Sequence, residues 1–107
     1  MKSKPYYIII KTAIVSYSTS DGITFEYEVN KPVLNKMKYI NKFTTLQSAK
    51  DYISLCTPSY YEKLMEILKI ENVLSKDNVL LHTLTTPVRL YRPVNNKWEQ
   101  FKYNRKE

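Results

Sequence analysis

Glycine is almost absent: Gly22 is the only one in 107 residues. Loops that cradle phosphates need several glycines so that backbone amides can approach the anion, so no P-loop or dinucleotide fingerprint exists here. Cysteine is equally scarce. Cys56 stands alone, which excludes an internal disulfide and fits a reducing, cytoplasmic compartment. Cys56 and His82 are the only soft metal ligands, and a structural zinc site takes about four. The carboxylates show none of the clustering that Mg²⁺ or Ca²⁺ requires. Neither a metal nor a cofactor is expected. Long apolar runs are also missing. The run Tyr6 to Ile10 is broken by Lys11 and leads to no small-x-small cleavage pattern. Neither a signal peptide nor a membrane span, which takes roughly 18 apolar residues, is expected.

What the chain has is positive charge and tyrosine. The formal net charge is +7, and ten residues are tyrosine. Basic and aromatic residues together are the composition of a nucleic-acid contact surface. An AT-rich genome produces the same composition by raising Lys, Asn, Ile and Tyr and lowering Gly. Lysines outnumber arginines 14 to 3, which fits that bias, because bidentate phosphate or guanine recognition favours Arg. Length, with 43% hydrophobic and 25% charged residues, fits one folded domain over residues 1–107, with 104–107 a frayed charged tail.

PYYIIIKTAIVSYS, residues 5–18, is rich in β-branched and aromatic types and predicts a long strand, central because both of its faces are apolar. TSDG follows, and Asp-Gly between apolar runs predicts a hairpin turn. ITFEYEV, residues 23–29, alternates perfectly, with its Thr24, Glu26 and Glu28 side expected to meet water. Lys31 and Pro32 end it. Residues 33–43 read equally as a third strand, with Met37, Tyr39 and Asn41 alternating, or as a loop followed by a short strand. Thr44 and Gln47 form a capping box ahead of Leu46, Ala49, Ile53 and Cys56 at helical spacing. Pro58 stops that helix. A second helix is predicted directly afterwards, capped by Thr57 or by a Ser59–Glu62 box, with Tyr61, Leu64, Met65 and Leu68 on one face and an end near Ile70. NVLLHTL predicts a strand interrupted before Pro87. VRLYRPV and KWEQFKY predict a final hairpin turning at Asn95 and Asn96. The expected fold class is α+β: a small, mostly antiparallel sheet of about five strands with two consecutive helices packed on one face, in the order β-β-(β)-α-α-β-β-β.

The charge is uneven. Residues 1–43 and 79–107 each carry +4, and the predicted helical middle carries −1. If helices cover one face of the sheet, the open face and its loops are expected to be basic. The candidate contact residues are Arg89, Tyr91, Arg92, Lys97 and Lys102 in the C-terminal hairpin and Lys36, Lys38, Tyr39 and Lys42 before the first helix. Trp98 belongs with the first group by position, but a large aromatic packs inside more often than it serves as a platform. No aromatic RNA-binding motif, zinc-finger spacing or helix-turn-helix accompanies these residues.

The expected function is non-enzymatic binding, without membrane or metal, to nucleic acid or to a protein that handles it. Small basic proteins of this composition are often encoded by phages or mobile elements, where inhibitors of host defence nucleases, anti-CRISPR proteins among them, have similar size. Two alternatives stand beside it. One is a protein–protein module without nucleic-acid affinity, using a strand edge or Tyr60 and Tyr61. The other is a metal-free, toxin-like ribonuclease with His82 as base and Arg89 and Arg92 as its cations. Self-association is left open.

Overall fold

The computed structural model describes residues 2–101, in which the chain runs β1 (Tyr6–Ser18), β2 (Thr24–Pro32), α1 (Leu46–Ser54), β3 (Glu62–Leu74), β4 (Leu80–Val94) and β5 (Lys97–Phe101). The five strands form one sheet in the order β2-β1-β3-β4-β5, and every neighbouring pair is antiparallel. The predicted tail at 104–107 and candidate Lys102 lie outside the described residues.

The first half follows its local chemistry. β1 pairs on both sides, as expected of an interior strand. Gly22, with φ of 80°, takes the left-handed position of the β1–β2 turn. The N-cap of α1 is Thr45, one residue beyond the predicted Thr44, and its hydroxyl accepts from the backbone N–H of Ser48 at 3.1 Å. Residues 33–43 form a looped connection in which the Asn35 carboxamide oxygen accepts from the backbone N–H groups of Met37 and Tyr39. Lys38 there takes φ of 66°.

The two-helix layout is overturned. α1, nine residues long, is the only helix among the described residues, and the segment predicted as a second helix is β3, the middle strand of the sheet. Its residues satisfy both periods. Leu64, Met65 and Leu68 share a helical stripe, yet Met65 and Ile67 fall on one face of a strand and Leu64, Leu68 and Ile70 on the other. Pairing with β1 and β4 satisfies the backbone on both edges, and Ile67, Ile70 and Val73 suit a pleated surface, so tertiary context overrides the helix propensity of Glu, Lys, Leu and Met. The capping box is formed in part and leads nowhere helical: Ser59 and Glu62 bond each other across a tight turn that opens β3. The two strands predicted around Pro87 are one fifteen-residue strand, β4. A bulge between Pro87 and Arg89 absorbs the proline, on a stretch that β5 does not reach.

The core lies between α1 and one face of the sheet. Ala49 and Ile53 of α1 meet Ile9, Met65, Ile67, Tyr91 and Trp98, with Val33 closing one side. The molecule is long rather than round. Its radius of gyration is 16.9 Å and its greatest extent 59 Å, against a radius of about 13 Å for a compact domain of this length. Register explains the shape. β1 pairs with β3 only from Tyr6 to Ala13, so residues 14–18 run on with β2 as a projecting hairpin. β3 and β4 project similarly beyond Ile70 in the opposite direction.

Candidate binding surfaces

Alternation and register assign each side chain to a face. The face beneath α1 receives the odd-numbered residues of β1 and β2, and along the projecting hairpin no described element lies above it. Val15, Tyr17, Ile23, Phe25 and Tyr27 are exposed there, and Tyr17 retains 53% of its surface. Their rings contact one another: Tyr17 stacks on Phe25 with centroids 5.3 Å apart and meets Tyr27 edge-on at 6.0 Å. The ITFEYEV strand therefore shows both sides to water, and its apolar side is an exposed aromatic platform. Between Thr12 and Asn30 the only charged residues are Asp21, Glu26 and Glu28. A chain of +7 thus carries a projecting element that is wholly acidic.

Among the described residues, no helix lies on the opposite face. Its middle is aliphatic, with Ile8, Ile10, Ile14, Leu64, Leu68 and Leu90 all partly exposed. The expected basic open face is not found. Glu26 and Glu28 lie at its β2 edge, Glu66 near its centre, and Arg92, Lys97 and Glu99 at its β4–β5 edge, while Tyr60, Tyr61 and Lys63 line a depression with Ile14, Ser16 and Glu26, and Lys42 lies over the Tyr6 ring. The Arg92 guanidinium sits 5.2 Å from the Phe101 ring centre.

The candidate residues are therefore dispersed. Tyr91 and Trp98 are buried in the core at 6% and 9% exposure, so neither ring offers a stacking surface. Burial raises the Tyr91 phenol above its ordinary pKa. Among the described residues, the Trp98 indole N–H has no hydrogen-bond partner. Arg89 lies on the α1 face, half-buried, and donates to the Val88 carbonyl at 2.6 Å, whereas Arg92 and Lys97 are exposed on the other face. Lys36, Lys38, Tyr39 and Lys42 all sit on the β2–α1 connection. Tyr39 and Lys42, with Asn35, Ile40 and Asn41, line a shallow depression of about 590 Å³. The Lys42 ammonium lies 4.9 Å from the centre of the Tyr6 ring. From Lys31 near the end of β2 to Lys50 in α1 the chain holds five lysines, three of them in the connection, and no acid.

Tyr60 and Tyr61 occupy the turn before β3, both exposed and edge-to-face at 5.6 Å. Tyr61 also borders a groove of about 510 Å³ along the β1 stretch that β3 leaves open, with Ala13, Ile14, Val15 and Ser16.

The geometry offers little to a ribonuclease. His82 pairs with Val73 in the far half of β4, about 23 Å of strand from Arg89 at ~3.3 Å per residue. Arg89 and Arg92 point to opposite faces, so the three do not converge on one phosphate. Cys56 is away from His82, packed against the core with its thiol donating to the Tyr52 carbonyl at 3.3 Å. Burial raises the pKa of that thiol, with the Lys11 charge acting against the shift. Among the described residues no group of three or more His, Cys, Asp or Glu could hold a metal ion, and no helix is long and apolar enough to cross a membrane.

The exposed hairpin aromatics escaped the sequence reading because alternation reports which residues share a face and says nothing of whether another element covers that face. No protein family, no curated protein and no solved structure matches the chain.

Proposed function

We propose that the chain is a non-enzymatic binding protein whose main partner is a protein, engaged by the aromatic platform of the β1–β2 hairpin. One observation carries this reading. The platform has the rings that single-stranded nucleic acid stacks on, but the only charges on its hairpin are carboxylates. Glu26 and Glu28 lie on the reverse of the same hairpin, about a Debye length away, so a phosphate backbone crossing the rings would meet weak repulsion and no hairpin cation where such binding needs several. Tyrosine and phenylalanine presented with little competing charge suit the buried centre of a protein interface. The matching partner surface is an apolar patch bordered by Lys or Arg.

A second reading rests on the five lysines between Lys31 and Lys50. This segment is an arm for phosphates, or for a protein that handles nucleic acid, and inhibition of a defence nuclease belongs to this reading.

The test compares two variants. Tyr17→Ser/Phe25→Ser removes the platform, and Lys36→Glu/Lys38→Glu/Lys42→Glu reverses the arm. The first is expected to abolish capture of a partner from cell extract while the second retains it, and labelled oligonucleotides are expected to bind only at low salt. Oligonucleotide binding that persists at physiological salt, survives the first variant and is lost in the second would overturn the protein-first reading.

A further inference from the structure

We infer that the open sheet face is the interface of a two-fold dimer, with a second copy of this chain as its occupant and the symmetry axis running along the strands. The inference is independent of the partner proposed for the hairpin, because it uses the other side of the sheet.

The first argument is the charge arrangement. Tyr91 is level with Lys11 through their shared partner Met65. Counting on, Val94 and its partner Lys97 are level with Ile14 and its partner Glu28. Glu28 and Lys97 therefore stand at one height on opposite edges of the same face, both exposed. Two in-plane axes can bring this face onto its copy. An axis across the strands lays β2 on β2, acid on acid. An axis along the strands keeps each residue's height and exchanges the edges, so β2 of one copy lies over β5 of the other. Glu28 then meets Lys97 of the second copy, twice by symmetry. The same operation sets Ile10 against Leu90, Ile14 against Val94, and Pro32 against Phe101, so apolar residues meet apolar ones. Like charges across an interface are costly and opposite charges fix register, so the second axis is selected.

The second argument is area. At ~4.8 Å per strand, β1, β3 and β4 cover the eight steps from Tyr6 to Ile14, about 27 Å, whereas β2 and β5 cover only the four steps level with Ile10 to Ile14. The footprint is about 500 Å² per copy, or roughly 1,000 Å² in total, at the lower limit of specific interfaces. Glu66 sits near the axis and approaches its own copy, which opposes association and sets the expectation of a micromolar dimer.

The experiment is sedimentation velocity over a hundredfold range of concentration, with wild type, Glu28→Lys, Lys97→Glu and an equimolar mixture of the two variants. Both sites are exposed, and far-ultraviolet circular dichroism checks that each variant is folded. Wild type is expected to dimerise. Each variant alone places like charges at both contacts and is expected to weaken association by about tenfold or more. In the mixture, the lysine introduced by Glu28→Lys meets the glutamate introduced by Lys97→Glu, while the native Glu28 and Lys97 meet at the second contact. The mixture is therefore expected to recover wild-type association. A wild type that stays monomeric throughout, variants that associate like wild type, or a mixture that fails to recover would each overturn the inference.

Discussion

One oxygen of the Glu62 carboxylate accepts the backbone N–H of Ser59 at 2.8 Å, and the other is ion-paired with Lys11 of β1. Glu62 thus ties the turn that opens β3 to the neighbouring strand. Burial works against its charge, but the Lys11 contact and the Ser59 amide outweigh burial and hold its pKa below the ordinary value. A carboxyl whose pKa is depressed on folding stabilises the fold above its unfolded pKa and loses that contribution as pH falls through the folded value. Glu62→Ala is expected to cost about 1–2 kcal/mol at neutral pH in denaturant titrations. The difference from wild type should shrink as pH drops below about 4.3. A gap unchanged down to strong acid would mean that the ion pair contributes nothing.

Core and hairpin should respond differently to truncation. Ile67 is fully buried between β1 and β4, so Ile67→Ala is expected to cost about 3 kcal/mol through lost burial and the cavity left behind. Phe25 keeps 45% of its surface and touches only its hairpin neighbours among ring contacts. Phe25→Ser should cost less than about 1 kcal/mol. Trp98, the sole tryptophan and buried, supplies the fluorescence signal for both titrations.

The β4–β5 turn holds Asn95 and Asn96 at φ of 50° and 64°. Two consecutive left-handed residues make a type I′ turn, which favours Asn-Gly. Asn96→Gly is expected to stabilise the protein by roughly 0.5 kcal/mol, read as a higher midpoint of thermal unfolding. A lower midpoint would show that the Asn96 side chain contributes more than its backbone strain costs.

Cys56 should be a poor nucleophile. Its thiol is half-buried beside Tyr52 and Glu62, and burial raises its pKa, so little thiolate exists at neutral pH. Modification by a maleimide or an aromatic disulfide reagent is expected to be much slower in the native protein than in denaturant. Equal rates in both would place the thiol in solvent.

These predictions depend on elements that were legible to different degrees. β1, the Gly22 turn, β2 and the Asn95–Asn96 turn could be read directly, because each rests on a local preference that the fold does not oppose. β3 could not. Its apolar residues satisfy the helical and the strand period together, and only the neighbours β1 and β4, distant in sequence, decide between them. That ambiguity displaced the expected open face. With a second helix removed, the aliphatic side of β1 and β3 is left uncovered, and the cations expected there lie on the β2–α1 connection or are split between faces. The acidity of the hairpin was present in residues 12–30 from the outset. It was hidden by summing charge over a longer N-terminal block that also holds seven lysines.

The acidic hairpin yields the sharpest functional prediction, because it can be tested by gain as well as by loss. If the negative field of Asp21 and of Glu26 and Glu28 on the reverse of the hairpin is what keeps phosphates from the Tyr17, Phe25 and Tyr27 rings, then reversing it should create a single-strand binder. Asp21→Lys/Glu26→Lys leaves the rings and the Glu28 position untouched and changes two exposed residues. At low salt the variant is expected to bind a labelled single-stranded oligonucleotide at least ~10-fold more tightly than wild type, with a steeper salt dependence because more phosphates are neutralised. Adding Phe25→Ser should remove most of that gain, since stacking contributes roughly 1–3 kcal/mol per base. An affinity unchanged by the reversal would mean that the platform rejects nucleotides by its shape, and the case against phosphate binding would then have to be made from the spacing of the rings rather than from their surrounding charge.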